Sequence, residues 1–288
     1  MKSRRLIING DDFGRSREIN EAVIFAYRRG ILTSTSLMVS GDAFEHAVAL
    51  AKENPGLAVG LHVTCVMGRP VLSPSEIPHL VEKDGNLPGD PGRAGLRYFF
   101  SRNARKEIFD EISAQFAKFS RSGLNFSHVD SHCHLHVHPV VLDAVVEISE
   151  KYRINRIRVP EDSFFSALPF LRSAFFRDPC YALVFKLLAG RMKQKLRKRG
   201  FVFPKRVYGN MMTGRISLEY VLSLLDDLPD GVSEIYFHPS FPCSPPTGDP
   251  EEAQRFRELS ILIDPQVRSA MDCRGIDSAT YFDLENDL

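Results

Sequence analysis

The chain has 288 residues, 43% hydrophobic and 25% charged, with a formal net charge of +1. That describes one large soluble globular domain or two small ones, with no global electrostatic pull toward nucleic acid. Its five cysteines (65, 133, 180, 243 and 273) are scattered with no CxxC pair, which excludes a disulfide framework or a zinc ribbon and fits reduced thiols in cytoplasm.

The first residues, Met1-Lys-Ser-Arg-Arg-Leu-Ile-Ile-Asn9, contain only three consecutive large apolar side chains, too few for a signal-peptide core. No run approaches the roughly 20 apolar residues of a membrane span. Arg5 to Gly10 reads as a buried strand. Ser16 is placed to cap a helix with Ile19, Val23, Ala26 and Tyr27 on one face and Gly30 as its stop. Thr35 to Ser40 predicts a second strand, Asp42 to Glu45 a capping-box start of a helix ending before Pro55, and Leu57 to Val63 a third strand. Residues 64–100 are rich in Pro and Gly and show no period, so they predict a long functional loop. Asn103 opens a helix ending at Gly123, and Pro139 suits the first turn of another. Arg156 to Pro160 predicts a strand, Ser217 to Leu228 a helix, and Glu234 to His238 a late strand.

This alternation predicts an α/β fold with parallel strands, a (β/α) barrel-like variant of the TIM barrel, with seven strands as one option. The absence of Gly-x-Gly-x-x-Gly after the first strand weakens a dinucleotide-binding fold. The whole chain, 1–288, reads as a single domain with an insertion at 163–207. Between Lys186 and Arg199 that insertion carries seven basic residues and no acidic one, after an apolar stretch. One reading is a peripheral contact with the inner face of a membrane; the other is a helix packed on the barrel with a solvated basic end.

The densest chemical signal is His128-Val-Asp130-Ser-His132-Cys-His134-Leu-His136-Val-His138, which holds five of the nine histidines. As a strand it would aim imidazoles and a carboxylate to one face and Val129, Cys133, Leu135 and Val137 to the other, a metal-site pattern. At roughly 3.3 Å per residue, His136 would stand roughly 13 Å beyond a metal held by His132. His136 and His138 are therefore expected to lead into the next helix or pack in a loop, and His134 to support the metal's ligands or contact substrate. Asp130 is expected to orient an imidazole or cap the interior. Asp11 and Asp12 follow the first strand, and Asp12 with two imidazoles would hold a divalent cation while Asp11 serves as general base. Arg158 is expected to bind substrate or to pair with an active-site carboxylate. His46 and His79 read as ordinary surface or packing residues. All the notable polar residues fall at C-terminal strand ends, which converge on one face of a parallel barrel.

Asn9-Gly-Asp11-Asp12-Phe-Gly14, Gly60-Leu-His62, His128 to His136 and Phe237-His238-Pro239 together resemble the YdjC-like carbohydrate deacetylases. The stretch from Arg257 through Pro265-Gln-Val-Arg268 to Gly275-Ile276 is also similar, so the resemblance runs along nearly the whole chain. It implies removal of an acetyl group from an acetamido sugar with one divalent metal ion held by Asp12, His62 and His132; the family is usually described with magnesium, while two imidazole ligands suit zinc, manganese, cobalt or iron. It implies Asp11 as base, His238 as the acid or oxyanion stabiliser, and a homodimer. Phe13 to Val23, Gly68-Arg-Pro70 and Ala94 to Phe99 resemble the hopanoid-biosynthesis-associated branch, HpnK, which implies a lipid-linked N-acetylglucosaminyl substrate. Soluble chitooligosaccharides are the alternative substrate. A phosphoesterase would want a second metal and more cations at the strand ends than Arg158 alone. A non-catalytic binding protein would not need a spare carboxylate beside the metal.

Overall fold

The computed structural model describes residues 4–162, 170, 179–243 and 248–287. Seven parallel strands make one curled sheet: β1 (Arg4–Phe13), β2 (Ser34–Leu37), β3 (Ala58–Val63), β4 (Val129–Ser131), β5 (Val207–Tyr208), β6 (Gly231–Phe237) and β7 (Ile276–Ala279). Their order is β4-β3-β2-β1-β6-β5, with β7 paired to the first half of β1. Around them lie helices α1 (Arg17–Arg29), α2 (Phe44–Glu53), α3 (Pro91–Phe100), α4 (Arg102–Arg121), α5 (Pro139–Lys151), α6 (Pro179–Lys198), α7 (Leu218–Asp226), α8 (Pro250–Leu262) and α9 (Pro265–Cys273).

The expected strand at 156–160 forms no ladder. It links the two sheet edges by single bridges, Val129 to Ile157 and Arg156 to Val202. The Val207 amide also donates to the Glu161 carbonyl at 3.2 Å. The α/β barrel-like class is therefore present, as a curled sheet whose seam is closed bond by bond.

Period-2 alternation sorts the inside of this curl from its outside. Leu6 and Ile8 join the core between sheet and helices, while Ile7 packs inside with Val202, Val232, Ala279, Tyr281 and Leu284. Toward the C-terminal ends of the strands the interior becomes polar, with Asn9, Ser36, His62, His128, Asp130, Arg158 and Glu234 all buried. Tyr281 closes this layer from the opposite end, stacked on the His128 ring with centroids 3.8 Å apart.

Local signals were followed at several helix ends. The Ser16 hydroxyl accepts from the Ile19 amide as expected. Gly30 ends α1, and a Cβ there would sit 2.1 Å from the Leu262 carbonyl oxygen. Asp42 does not cap α2, whose preceding residue Ala43 has no side-chain cap; Asp42 pairs with Arg69 on the surface instead. The loop expected over 64–100 contains α3, which Asp90 caps through the Gly92 and Arg93 amides. Ser101, not Asn103, caps α4.

The His-rich segment departs most from expectation. Only Val129–Ser131 is strand; His132–Val137 is a tight 3-10 turn with Cys133 and His134 at φ 54° and 53°. The alternating pattern imitates a strand, but two left-handed residues fold the chain back on itself. The extended-chain spacing between His132 and His136 therefore does not hold.

Part of the insertion, 163–169 and 171–178, lies outside the described residues. In the described part, Lys193, Lys195 and Arg199 meet Glu161, Asp143 and Glu150. Those cations tie α6 to the barrel. Among the described residues no helix is long and apolar enough to cross a membrane.

Gly60 tests the packed polar interior. A Cβ there would fall 2.4–2.6 Å from three atoms of the His128 ring, which Tyr281 holds from the other side. Gly60→Ala is expected to lower stability by about 1–3 kcal/mol in urea unfolding; an unchanged midpoint would show that the ring has room to move.

Candidate active site

Two adjacent acids on a regular strand would point to opposite faces. Here β1 carries a bulge: Gly10 pairs with Thr35 and Phe13 with Leu37, so three steps on β1 match two on β2. Asp12 takes φ 68°, a left-handed conformation that Asp tolerates better than most residues. The bulge turns both carboxylates into the same buried cluster, with Asp11 2% and Asp12 0% exposed.

Asp12 meets the two imidazoles that the resemblance implied. His132 Nδ1 lies 3.1 Å and His62 Nε2 3.7 Å from Asp12 Oδ1, and ligand atoms of the three residues all fall within 4.8 Å of one another. His62 Nδ1 donates to Asp130 Oδ1 at 2.8 Å, which fixes the tautomer and leaves Nε2 facing the cluster. Asp12 Oδ1 is buried yet accepts no hydrogen bond. A buried orphan carboxylate oxygen, two converging imidazole nitrogens and a carboxylate behind one of them form a donor set that fits a divalent cation. Asp11, His62 and Asp130 make a second such group, but Arg158 bonds both carboxylates and puts a positive charge where a second cation would sit.

Arg158 is fully buried. Its Nη1 donates to Asp11 Oδ2 and contacts Asp130 Oδ2, each at 2.7 Å; Nη2 reaches Asp11 Oδ1 at 2.8 Å and Glu234 Oε1 at 2.6 Å. Of its two expected roles, this is the geometry of pairing with carboxylates. Asp130 likewise has both oxygens engaged, by His62, Ser36 and Arg158, and it orients an imidazole. Burial pushes the Asp11 carboxyl up, but the Arg158 guanidinium outweighs it and holds Asp11 below the usual range. Burial likewise opposes charge on Asp12, and His132, Arg255 and His238 overcome it.

The other histidines divide by role. His134 Nε2 sits 2.9 Å from the Tyr236 hydroxyl, and burial holds its imidazole well below the ordinary value. His136 Nε2 must donate to the Arg158 carbonyl at 2.9 Å, so its Nδ1 accepts from the Ser131 hydroxyl at 2.6 Å. His138 precedes α5 as its N-cap residue. His238 lies at the rim, with its amide held by Glu258 Oε2 at 2.6 Å and its ring 5.6 Å from that of Tyr236. His46 contacts Glu21 and Asn20, and His79 pairs with Glu107, both away from the cluster.

Several residues were not singled out from sequence. Arg255 of α8 donates to the outer oxygen of Asp12, Oδ2, at 2.8 Å, beside Arg15 at 3.1 Å. Nothing in the sequence distinguished it from an ordinary surface partner of Glu251. Glu234 carried a weak signal, a charge inside an apolar strand. Asn9, which bonds Asp11, opens the motif that runs to Gly14 but was given no role, and Ser36, which bonds Asp130, carried no signal.

A family model described as YdjC-like protein matches residues 5–272. A carbohydrate deacetylase of Brevibacillus brevis is 31% identical over 287 residues, covering 97% of this chain and 99% of its own. One from Geobacillus stearothermophilus is 32% identical over 280 residues, with 96% and 97% covered. A chitooligosaccharide deacetylase of Proteus mirabilis is 32% identical over 291 residues, with 97% and 98% covered. A crystal structure described as a proposed cellobiose-phosphate cleavage protein of Enterococcus faecalis superposes with a TM-score of 0.75 at 27% identity, covering 98% of this chain and 99% of that one.

The buried neutral His136 makes stability depend on pH. Burial pushes its imidazole down to about 4, against 6.5 when unfolded. Above pH 6.5 neither state holds the proton. Below it the unfolded chain binds a proton that the folded chain refuses until about pH 4, so this contribution is lost at about 1.4 kcal/mol per pH unit across the window. His136→Gln should flatten the fall in urea midpoint between pH 6.5 and 4; an unchanged slope would assign that fall to other groups.

Proposed function

The chain belongs to the YdjC-like protein family, and on that premise we propose that it is a carbohydrate deacetylase whose divalent cation is held by Asp12, His62 and His132. The observation that carries the metal reading is the orphan Asp12 Oδ1 facing two imidazoles, with Asp130 fixing one of them. When bound, such a cation polarises the amide carbonyl and lowers the pKa of water.

The chain's own groups supply the rest. Arg158 and Asn9 occupy three of the roughly four lone-pair directions on the Asp11 carboxylate, and the direction left on Oδ2 is free to take a proton from water. Arg158 keeps that carboxylate ionised and fixed in direction. Water adds to the acetamide carbon, the C–N bond breaks, and acetate and a free amino sugar leave. His238, at the rim, is the group placed to protonate the departing amine. His134 and Tyr236 line the same end of the site and are offered as substrate contacts. The balance of charge disfavours a phosphoester, because each cation in the cluster is already paired with carboxylate: Arg158 with Asp11, Asp130 and Glu234, and Arg255 with Asp12.

For the substrate we propose an N-acetylglucosaminyl hopanoid, on the resemblance of residues 13–23, 68–70 and 94–99 to the HpnK branch. The name of the Proteus mirabilis relative favours soluble chitooligosaccharides instead. Acetate release should be measured from a lipid-linked N-acetylglucosaminyl substrate and from di-N-acetylchitobiose, with and without chelator. Chelator should abolish turnover and added metal restore it. Asp11→Asn should bind metal like wild type and lose about a hundred- to ten-thousand-fold in kcat. Full activity of Asp11→Asn, or indifference to chelator, would contradict the mechanism, and faster release from chitobiose would reject the lipid-linked substrate.

A further inference from the structure

We propose that the outer face of α3, continued into the start of α4, is a docking surface for an anionic lipid membrane beside the mouth of the site. The surface goes beyond the deacetylase reading and does not depend on it. A surface helix normally turns its large apolar residues inward. Helix α3 buries Ala94 and Tyr98 but turns Leu96, Phe99 and Phe100 outward, 63%, 48% and 76% exposed. Single exposed apolar side chains are common, but a leucine and an edge-to-face Phe99–Phe100 pair, centroids 5.1 Å apart, make a contiguous patch on one short helix.

The exposed charges within the patch are basic, and the acids beside it are Asp90, which caps α3, and Glu82, which is paired with Arg97. Arg93, Arg102, Arg105 and Lys106 are exposed, and residues 91–106 include no Asp or Glu. Exposed aromatic and aliphatic side chains ringed by Lys and Arg match the interfacial zone of a bilayer, where apolar groups enter the acyl boundary and cations meet anionic headgroups. A twofold contact between two copies would bring this patch against itself and set those cations against one another. That favours the lipid surface over a second copy of the chain. The basic end of α6 is a poorer candidate, because three of its seven basic residues, Lys193, Lys195 and Arg199, are already paired with barrel carboxylates.

The patch is continuous with the site. The Phe99 ring lies edge-on to His138, 6.2 Å away, where the turn His132–Val137 ends. Met67, 49% exposed, has its Sδ 3.7 Å from Cys133 Sγ, next to His132.

The test is co-sedimentation of the full chain with phosphatidylcholine–phosphatidylglycerol vesicles and with phosphatidylcholine vesicles alone, without substrate. Two variants are compared, Leu96→Ser/Phe99→Ser/Phe100→Ser and Arg93→Glu/Arg102→Glu/Lys106→Glu. Wild type should bind the anionic vesicles, and each variant should bind them at least about tenfold more weakly. Circular dichroism and turnover of di-N-acetylchitobiose should be unchanged in both. Failure of wild type to bind anionic vesicles would overturn the proposal, as would wild-type binding by both variants. So would a wild-type dimer that the serine variant dissociates, which would assign the face to a second copy. Loss of the deacetylase reading would leave the vesicle result unaffected.

Discussion

The structure turns on one buried guanidinium. Arg158 stands inside the curl of the sheet and meets Asp11 from β1, Asp130 from β4 and Glu234 from β6. It sits on the seam where strand pairing is reduced to single bridges, so its side chain supplies cross-links that the backbone lacks. A lone buried carboxylate would be expensive or neutral; beside this guanidinium Asp11 and Asp130 are held below the usual range, while burial still pushes Glu234 up. Removing the cation would leave them uncompensated, at a cost of about 3–5 kcal/mol. The same contacts orient the groups nearest the chemistry. Asp11 is pinned through both oxygens, and Asp130, held on its far side, is free to fix His62 through the near one.

From that centre the interior is layered. Ile7, Val232 and Tyr281 fill the closed end, the Arg158 network fills the middle, and Asp12, His62 and His132 lie toward the strand ends. The inward residues of β1, at 7, 9 and 11, pass from apolar to amide to carboxylate along one strand. The bulge then breaks that alternation so that Asp12 joins Asp11 rather than facing the helices. The strain of a left-handed Asp12 is thus placed where it unites two acids with separate tasks.

Much of this was legible from the chain. The apolar runs gave the parallel α/β class, and the resemblance to the YdjC-like deacetylases named Asp12, His62 and His132, the group that the fold brings together. The rest was hidden for specific reasons. No composition rule marks a non-glycine residue for positive φ, so the turn at Cys133 and His134 looked like strand. Arg158 was visible but its role was not, because a buried charge declares itself only through its partners. Arg255 lies 243 residues from Asp12 and shows only a local pairing with Glu251 in sequence. Helix α3 escaped notice because its proline, its glycines and its outward apolar face mask the usual period.

The central claim is that Asp12, His62 and His132 hold the cation while Asp11 is kept apart as the base. Anomalous diffraction from crystals grown with zinc tests it most directly. The account predicts one strong peak about 2.0–2.2 Å from Asp12 Oδ1, His62 Nε2 and a His132 ring nitrogen, with no bond to Asp11. A peak on Asp11 and Asp130 with Arg158 displaced, or no peak in the cluster, would contradict it.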